Sequence, residues 1–373
     1  MSNNLTLRFS DLYLTNNSTI IKPMESLRVV KGRGAQINPT GRFEHLVRDA
    51  IITGQEGPFP KTKFLHSRAK SVVNKVTSPD VPGDYSLNPY QGCEHGCTYC
   101  YARTTHAYWG FGSGLDFESK IVIKDNAADL LREKLMSPTW KVSPIMLSGN
   151  TDCYQPIEKK LEITRSILEV LWEFRHPVTI VTKNALILRD LDILREMARH
   201  NLVKVAISLN TLDDRLRQKL EPRASSVFTR LRTIKHLSNE GIPVTVLAAP
   251  IIPGLNDHEI MPLVRTVASH GAVDINHIVI RLNGEVEDIF RDWLQKTYPH
   301  KYDKVMNQIA SLHEGNAGSS KFGDRMKGSG SFAEAITEQM RLAKKVYFDE
   351  IKKIELDTEL YQSIKSPQLS LFG

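Results

Sequence analysis

The sequence predicts an α/β fold: a partial (β/α)6 TIM barrel, three-quarters of an eightfold barrel, with an N-terminal extension and a helical C-terminal region. Three observations predict it. From 84 to 283, short apolar runs alternate six times with amphipathic stretches. Runs such as Thr179-Ile-Val181 and Val244-Thr-Val-Leu247 are β-branched and have the character of strands buried on both faces. Leu161, Ile163, Ile167, Leu168, Leu171 and Trp172 recur near helical spacing. Six strand–helix repeats imply parallel strands joined by right-handed crossovers.

Taken in order, residues 1–80 form an extension without a clear periodic core. It carries Lys31-Gly-Arg-Gly-Ala35, then Asn38-Pro39 and Arg42-Phe43-Glu44. The glycines allow tight backbone paths, and the arginines suit phosphate or carboxylate; a basic loop packed on the core is the plainer reading. Ser78-Pro-Asp-Val-Pro-Gly83 marks the boundary. The barrel, 81–285, has predicted strands at 84–88, 144–148, 177–182, 203–209, 243–249 and 277–282. Predicted helices lie near 124–136, 157–174, 186–199, 225–240 and 256–270. Residues 286–365 read as helical (286–297, 299–313 and 331–354) with a Gly/Ser-rich interruption at 315–330, and 366–373 read as a flexible tail.

Composition bounds the function. The chain has 373 residues, 41% of them hydrophobic, enough for a sizeable core. No apolar run approaches the roughly 18 residues a membrane helix needs, and the first residues lack a charged start before an apolar stretch, so no membrane and no signal peptide are expected. Free clustered thiols without an export signal point to a reducing cytoplasm. The net charge of +7 is compatible with nucleic acid, although it is spread along the chain as on any basic surface.

Three of the four cysteines, Cys93, Cys97 and Cys100, fall in Gln91-Gly-Cys-Glu-His-Gly-Cys-Thr-Tyr-Cys-Tyr-Ala-Arg103 with C-x3-C-x2-C spacing. Such spacing suits one soft metal centre. A cubane iron–sulfur cluster held wholly by protein needs four cysteines, so three leave one iron open to a small molecule. Structural zinc wants four ligands; His95 and His106 are near, but no second knuckle follows. A disulfide framework fits a long chain with clustered cysteines poorly.

The motif, with Tyr99 just before its last cysteine, resembles the radical S-adenosylmethionine (SAM) superfamily. The resemblance implies a [4Fe-4S] cluster on Cys93, Cys97 and Cys100, whose open iron is chelated by the amino and carboxylate groups of SAM. It also implies the partial barrel, whose strand ends collect chemistry. On that reading Ser148-Gly-Asn-Thr-Asp152, after the second strand, meets the cofactor's amino group through Asn150, Thr151 and Asp152, unless these only cap the next helix. Lys183 is placed to meet the carboxylate, with a solvated lysine as the alternative, and Ser208 and Asn210 to bond ribose or carboxylate. The proline-stiffened Ala249-Pro-Ile-Ile-Pro-Gly-Leu-Asn256 would wall the adenine.

More closely, the chain resembles the spore photoproduct lyase-like branch, a DNA-repair-photolyase-like subgroup. This rests on residues 92–103, Ser148–Asp152 with Tyr154-Gln-Pro-Ile-Glu158, Thr182-Lys183, Lys31–Ala35 and Phe322-Gly-Asp-Arg-Met326. The lyase's hydrogen-donating cysteine register is filled here by Gly149, which puts lyase chemistry in question. Cys153 is a candidate hydrogen donor, a ligand of something else, or a small buried hydrophobe. Tyr101 is a candidate radical relay or a core aromatic.

The tail peptide Gln368, Leu369, Ser370, Leu371, Phe372 resembles those by which bacterial repair and replication proteins dock on the sliding clamp, with packing back onto the core as the alternative. The expected enzyme takes an electron from reduced flavodoxin or ferredoxin, cleaves SAM to a 5′-deoxyadenosyl radical, and abstracts hydrogen from a nucleic-acid lesion. The rival readings are the same chemistry on a protein or metabolite, and a non-catalytic iron–sulfur protein that binds DNA or the clamp.

Overall fold

The computed structural model describes residues 31–39, 61–349 and 354–361. Among the described residues ten strands form two sheets: β1 Lys63–Ser67, β2 Val73–Lys75, β3 Tyr85–Leu87, β4 Tyr90–Gln91, β5 Lys120–Lys124, β6 Ile145–Leu147, β7 Val178–Thr182, β8 Val203–Ser208, β9 Val244–Ile251 and β10 Asp274–Val279. The larger sheet has the order β10-β9-β8-β7-β6-β3-β2. From β3 to β10 every neighbouring pair is parallel, and β2 closes the β3 edge antiparallel. Those six parallel strands are the partial (β/α)6 barrel. β3 and β10 are not neighbours, so the barrel is open between them.

Local sequence explains the strands. In β7, Val178, Ile180 and Thr182 are buried while Thr179 and Val181 are half-buried. The sheet meets side chains on both faces, which selects continuous β-branched runs. One core joins Leu87, Ile145, Leu147, Val205, Ile207 and Val246 to Leu168, Leu171, Leu194, Leu237 and Val264 from the surrounding helices. Each such side chain contributes about 1.5–3 kcal/mol of burial.

The structure differs from the sequence reading at particular places. The single helix expected at 157–174 is two, Glu158–Leu161 and Ile163–Glu173, broken at Glu162 with φ 55°. The Glu158 carboxylate turns inward to accept from the Thr164 amide and the Arg189 guanidinium, which fixes the bend. The sixth strand begins at Asp274 rather than 277. Its Asp274 and Asn276 are polar because that part of the edge strand is exposed or half-buried. A second, three-stranded sheet of order β1-β5-β4, not foreseen, lies beside the cysteine loop.

The C-terminal helices Glu285–Thr297 and Tyr302–Leu312 form a second core around Phe290, Trp293, Leu294, Val305 and Ile309, against which Tyr99 packs. Helix Gly330–Phe348 lies on helix Ile260–Ser269 and β10. Among the described residues no helix is long and apolar enough to cross a membrane.

Candidate active site

The cysteine loop leaves the barrel after β3 and β4 and is pinned on several sides. The Cys93 amide bonds Phe117 O at 2.9 Å, the Thr98 amide bonds Leu220 O at 3.0 Å, and the Arg223 amide bonds His95 O at 3.3 Å. All four cysteines are free; Cys93, Cys97 and Cys153 are buried and Cys100 half-buried.

The loop's back rests on a buried ion pair. Arg103, fully buried, donates from Nε to Cys97 O at 2.9 Å, from Nη1 to Gly114 O at 2.9 Å, and from Nη2 to the fully buried Glu118 carboxylate. Glu118 also accepts the Gly34 amide at 3.0 Å and the Ala35 amide at 2.7 Å. A guanidinium and a carboxylate with these further donors and acceptors are satisfied despite burial. The Lys31–Ala35 motif thus meets a carboxylate through its Gly34 and Ala35 amides, while Arg33 itself donates to the Glu118 backbone carbonyl and to Thr62 Oγ1.

The thiols are buried among amide donors and cationic side chains. Burial drives Cys93 upward, while the amides of Asp152 and His95 point hydrogen bonds at its sulfur. Burial pushes Cys97 up to about 12, with Lys183 and Arg103 pulling the other way. Metal binding must displace these protons, and the amide donors and neighbouring cations favour the thiolate form. Among the described residues no three His, Cys, Asp or Glu side chains converge on one ion. Cubane ligation has a different demand, since each thiolate binds its own iron.

The strand-end residues surround the loop. Asp152 Oδ1 accepts Thr182 Oγ1 at 2.8 Å and the Tyr154 amide at 2.9 Å; Oδ2 accepts the Lys183 amide at 2.9 Å and lies 3.3 Å from His95 Nδ1 without hydrogen-bond alignment. Burial works to raise its pKa, but His95 and the Lys183 amide hold it at about 2. It therefore ties the second strand end to the third. The Thr151 hydroxyl donates to Tyr90 O. Half-buried Asn150 bonds Asn88 and Thr105.

Lys183 Nζ lies 5.9 Å from the Tyr99 ring. Burial opposes its charge, yet Cys97, Glu221 and Cys100 beside it hold the ammonium well above its usual range. The Tyr99 hydroxyl donates to Glu221, whose other oxygen pairs with buried Arg230. Arg230 in turn donates to Ser208 O at 2.9 Å. Both amide atoms of Asn210, 1% exposed, lack a partner among the described residues. A buried, unpaired amide is costly and suits a polar ligand. Together with the Lys183 ammonium it makes the donor set fit the ribose and carboxylate of SAM.

Cys153 directly follows Asp152 and its amide donates to Ser148 Oγ at 2.7 Å. It is fully buried in the main core, with burial driving its pKa up. Tyr101 is half exposed at 50%, donates its hydroxyl to Gly149 O, and lies under the Arg281 guanidinium, 5.5 Å from ring centroid. Sequence reasoning missed Glu118, Glu221, Arg230 and Arg281. Arg281, just beyond β10, was discoverable from its strand-end position; the buried acids carry no local signal. The tail peptide Gln368–Phe372 lies outside the described residues.

Residues 87–267 match the family model of the radical SAM superfamily. An uncharacterized protein of Mycobacterium tuberculosis is 33% identical over 263 residues, covering 69% of this chain and 77% of that protein. The radical SAM Nalpha-GlyT isomerase of Pseudomonas phage M6 is 28% identical over 196 residues, covering 52% of this chain and 38% of that protein. Spore photoproduct lyase complexed with dinucleoside spore photoproduct aligns with TM-score 0.57 and 16% identity over 76% of this chain and 79% of the lyase. The chain belongs to the radical SAM superfamily. Within it, the fold is similar to that of spore photoproduct lyase.

Proposed function

We propose that this protein cleaves SAM reductively at a [4Fe-4S] cluster on Cys93, Cys97 and Cys100 and takes a hydrogen atom from a damaged nucleotide of DNA. The bound cluster supplies the electron that splits SAM to methionine and a 5′-deoxyadenosyl radical. The observation that carries the reading is the loop of free thiols with the Lys183 ammonium beside Cys97 and Cys100, in a barrel of six parallel strands that also carries the unpaired Asn210 amide just after β8.

The chain's residues hold and orient. Lys183 meets the methionine carboxylate, and Asn210 and Ser208 the ribose. Asn150 and Thr151 border the amino group, with Asp152 ordering that strand end. Tyr99, fixed by Glu221, backs the cofactor. Tyr101 is better exposed than Cys153 to relay a hydrogen atom to substrate. The nucleotide substrate is supported by the net charge of +7 and by the dinucleoside bound to the lyase of similar fold. A reduced flavodoxin or ferredoxin in the cytoplasm supplies the electron, and Gln368–Phe372 docks on the sliding clamp.

The test is anaerobic reconstitution, dithionite reduction and assay of 5′-deoxyadenosine with and without ultraviolet-damaged duplex DNA. Release stimulated by DNA supports the whole reading. Release indifferent to DNA keeps the radical chemistry and removes the substrate; no release from protein with an intact cluster removes both.

A further inference from the structure

The barrel lacks a strand pair between β10 and β3, and a loop spans that side of the molecule. The Val279 amide, at the end of β10, bonds Met326 O at 3.0 Å. Four residues earlier, Phe322-Gly-Asp-Arg-Met326 reaches across to the segment before β3: Asp80 accepts the Gly323 amide at 2.8 Å and Arg325 Nε at 2.6 Å. The Arg281 guanidinium lies over the Tyr101 ring, joining the end of β10 to the residue after the last cluster cysteine. Arg325 lies over the Phe322 ring at 4.5 Å.

The charges of this wall do not balance. Arg325 is neutralised by Asp80. Among the described residues Arg281 makes no hydrogen bond and no ion pair, although it is half-buried. Burial and the positive field of Arg325 weigh against its charge, and the fields of Tyr101 and Asp80 offset them only in part. A guanidinium held there with its donors free is an anion receptor awaiting its anion. Two exposed aromatic rings belong to this wall: Tyr101, 50% exposed, under Arg281, and Phe322, 57% exposed, under the neighbouring Arg325. Exposed aromatic faces beside an unneutralised arginine match the two halves of a nucleotide, a flat base and a phosphate.

We propose that Arg281 binds a backbone phosphate of a nucleic-acid substrate while Tyr101 and Phe322 offer faces for an unstacked base, making this wall the substrate's entry to the radical site. This rests on the nucleotide reading above and gives it a location. It requires the target to be unpaired locally, because a base within an intact duplex has no free face.

The test uses the cluster-reconstituted protein and a fluorescent single-stranded oligonucleotide, titrated by anisotropy over a range of salt. Arg281→Ala should weaken binding about tenfold or more and reduce the salt slope by about 0.7, the value for one phosphate on a single strand. Arg281→Lys, which keeps the charge, should retain the slope and so separates loss of a contact from loss of the fold. Phe322→Ala should weaken binding and leave the slope unchanged.

Three results overturn the proposal: no binding by the wild type, an Arg281→Ala affinity and slope equal to wild type, or an Arg281→Ala defect confined to SAM binding in equilibrium dialysis. The last would assign the arginine to the cofactor carboxylate. Wild-type 5′-deoxyadenosine release is measured in parallel. Its absence alongside Arg281-dependent oligonucleotide binding would refute the radical reading and leave the phosphate site standing.

Discussion

Gly34 and Gly96 meet backbone to backbone: a Cβ placed on Gly34 would lie 1.6 Å from the Gly96 carbonyl oxygen. No side-chain rotation relieves that overlap, so any larger residue must move one segment off the other. Gly96 stands between Cys93 and Cys97, and the shift would reach the ligand loop directly. Gly34→Ala should therefore yield protein with native far-ultraviolet circular dichroism and several-fold less iron and sulfide after reconstitution. Gly32→Ala, whose Cβ would have nothing within 4 Å, is strained only locally by its φ of 76°; it should cost about 1 kcal/mol of stability and still load far more iron and sulfide than Gly34→Ala. Equal iron in both variants would show that the contact does not shape the site.

Glu118 is the charge that holds the same region together. Glu118→Gln leaves the Arg103 guanidinium buried without its counter-charge, and breaking a buried pair in this way costs about 3–5 kcal/mol. Denaturant unfolding followed by tryptophan fluorescence measures the loss. A cost below about 1 kcal/mol would mean that water reaches Arg103.

Cysteine variants divide the four thiols by role. Cys97→Ala should abolish both the cluster's visible absorbance and 5′-deoxyadenosine release. Cys153→Ala, deleting a small buried group from the main core, should keep the absorbance and cost about 1 kcal/mol. Loss of iron from Cys153→Ala would place that residue among the ligands.

His176 gives the fold a pH dependence remote from the cysteines. Trp140 Nε1 donates to its Nε2 at 3.2 Å, and its Nδ1 faces Pro177 O at 3.0 Å, which requires the proton on Nδ1 and a bare Nε2. Burial lowers its pKa from 6.5 to about 4. The unfolded chain takes up the proton first, so stability is full above 6.5 and falls as pH drops toward 4. The loss between pH 7 and pH 5 amounts to about 2 kcal/mol. His176→Gln should lack this share of the slope in urea titrations at the two pH values; an unchanged slope would assign the dependence to other groups.

How much of this was legible in the chain depended on the range of the interactions. The strands β6 to β9 were readable because each is a compact β-branched run that local periodicity registers. The break at Glu162 was not, since neither glycine nor proline marks it and its cause is the distant Arg189. The three clustered cysteines stood out by spacing alone as a candidate metal centre. Glu118, Glu221 and Arg230 looked like surface charges on amphipathic helices or loops, because only folding reveals that their partners lie buried beside them. The sixth strand, read three residues late, hid the strand-end position of Arg281.

The clasp of Gly34 and Ala35 on Glu118 also governs where the chain can be shortened. A polypeptide begun at residue 81 would contain the whole cysteine motif and all six parallel strands. It would lack two of the three donors that satisfy the buried Glu118 carboxylate, the amides of Gly34 and Ala35, and keep only Arg103. Such a fragment would have its catalytic inventory intact and its ligand loop open to solvent from behind. The smallest self-sufficient unit thus reaches back past the barrel, to a short glycine-rich stretch that contributes no ligand of its own.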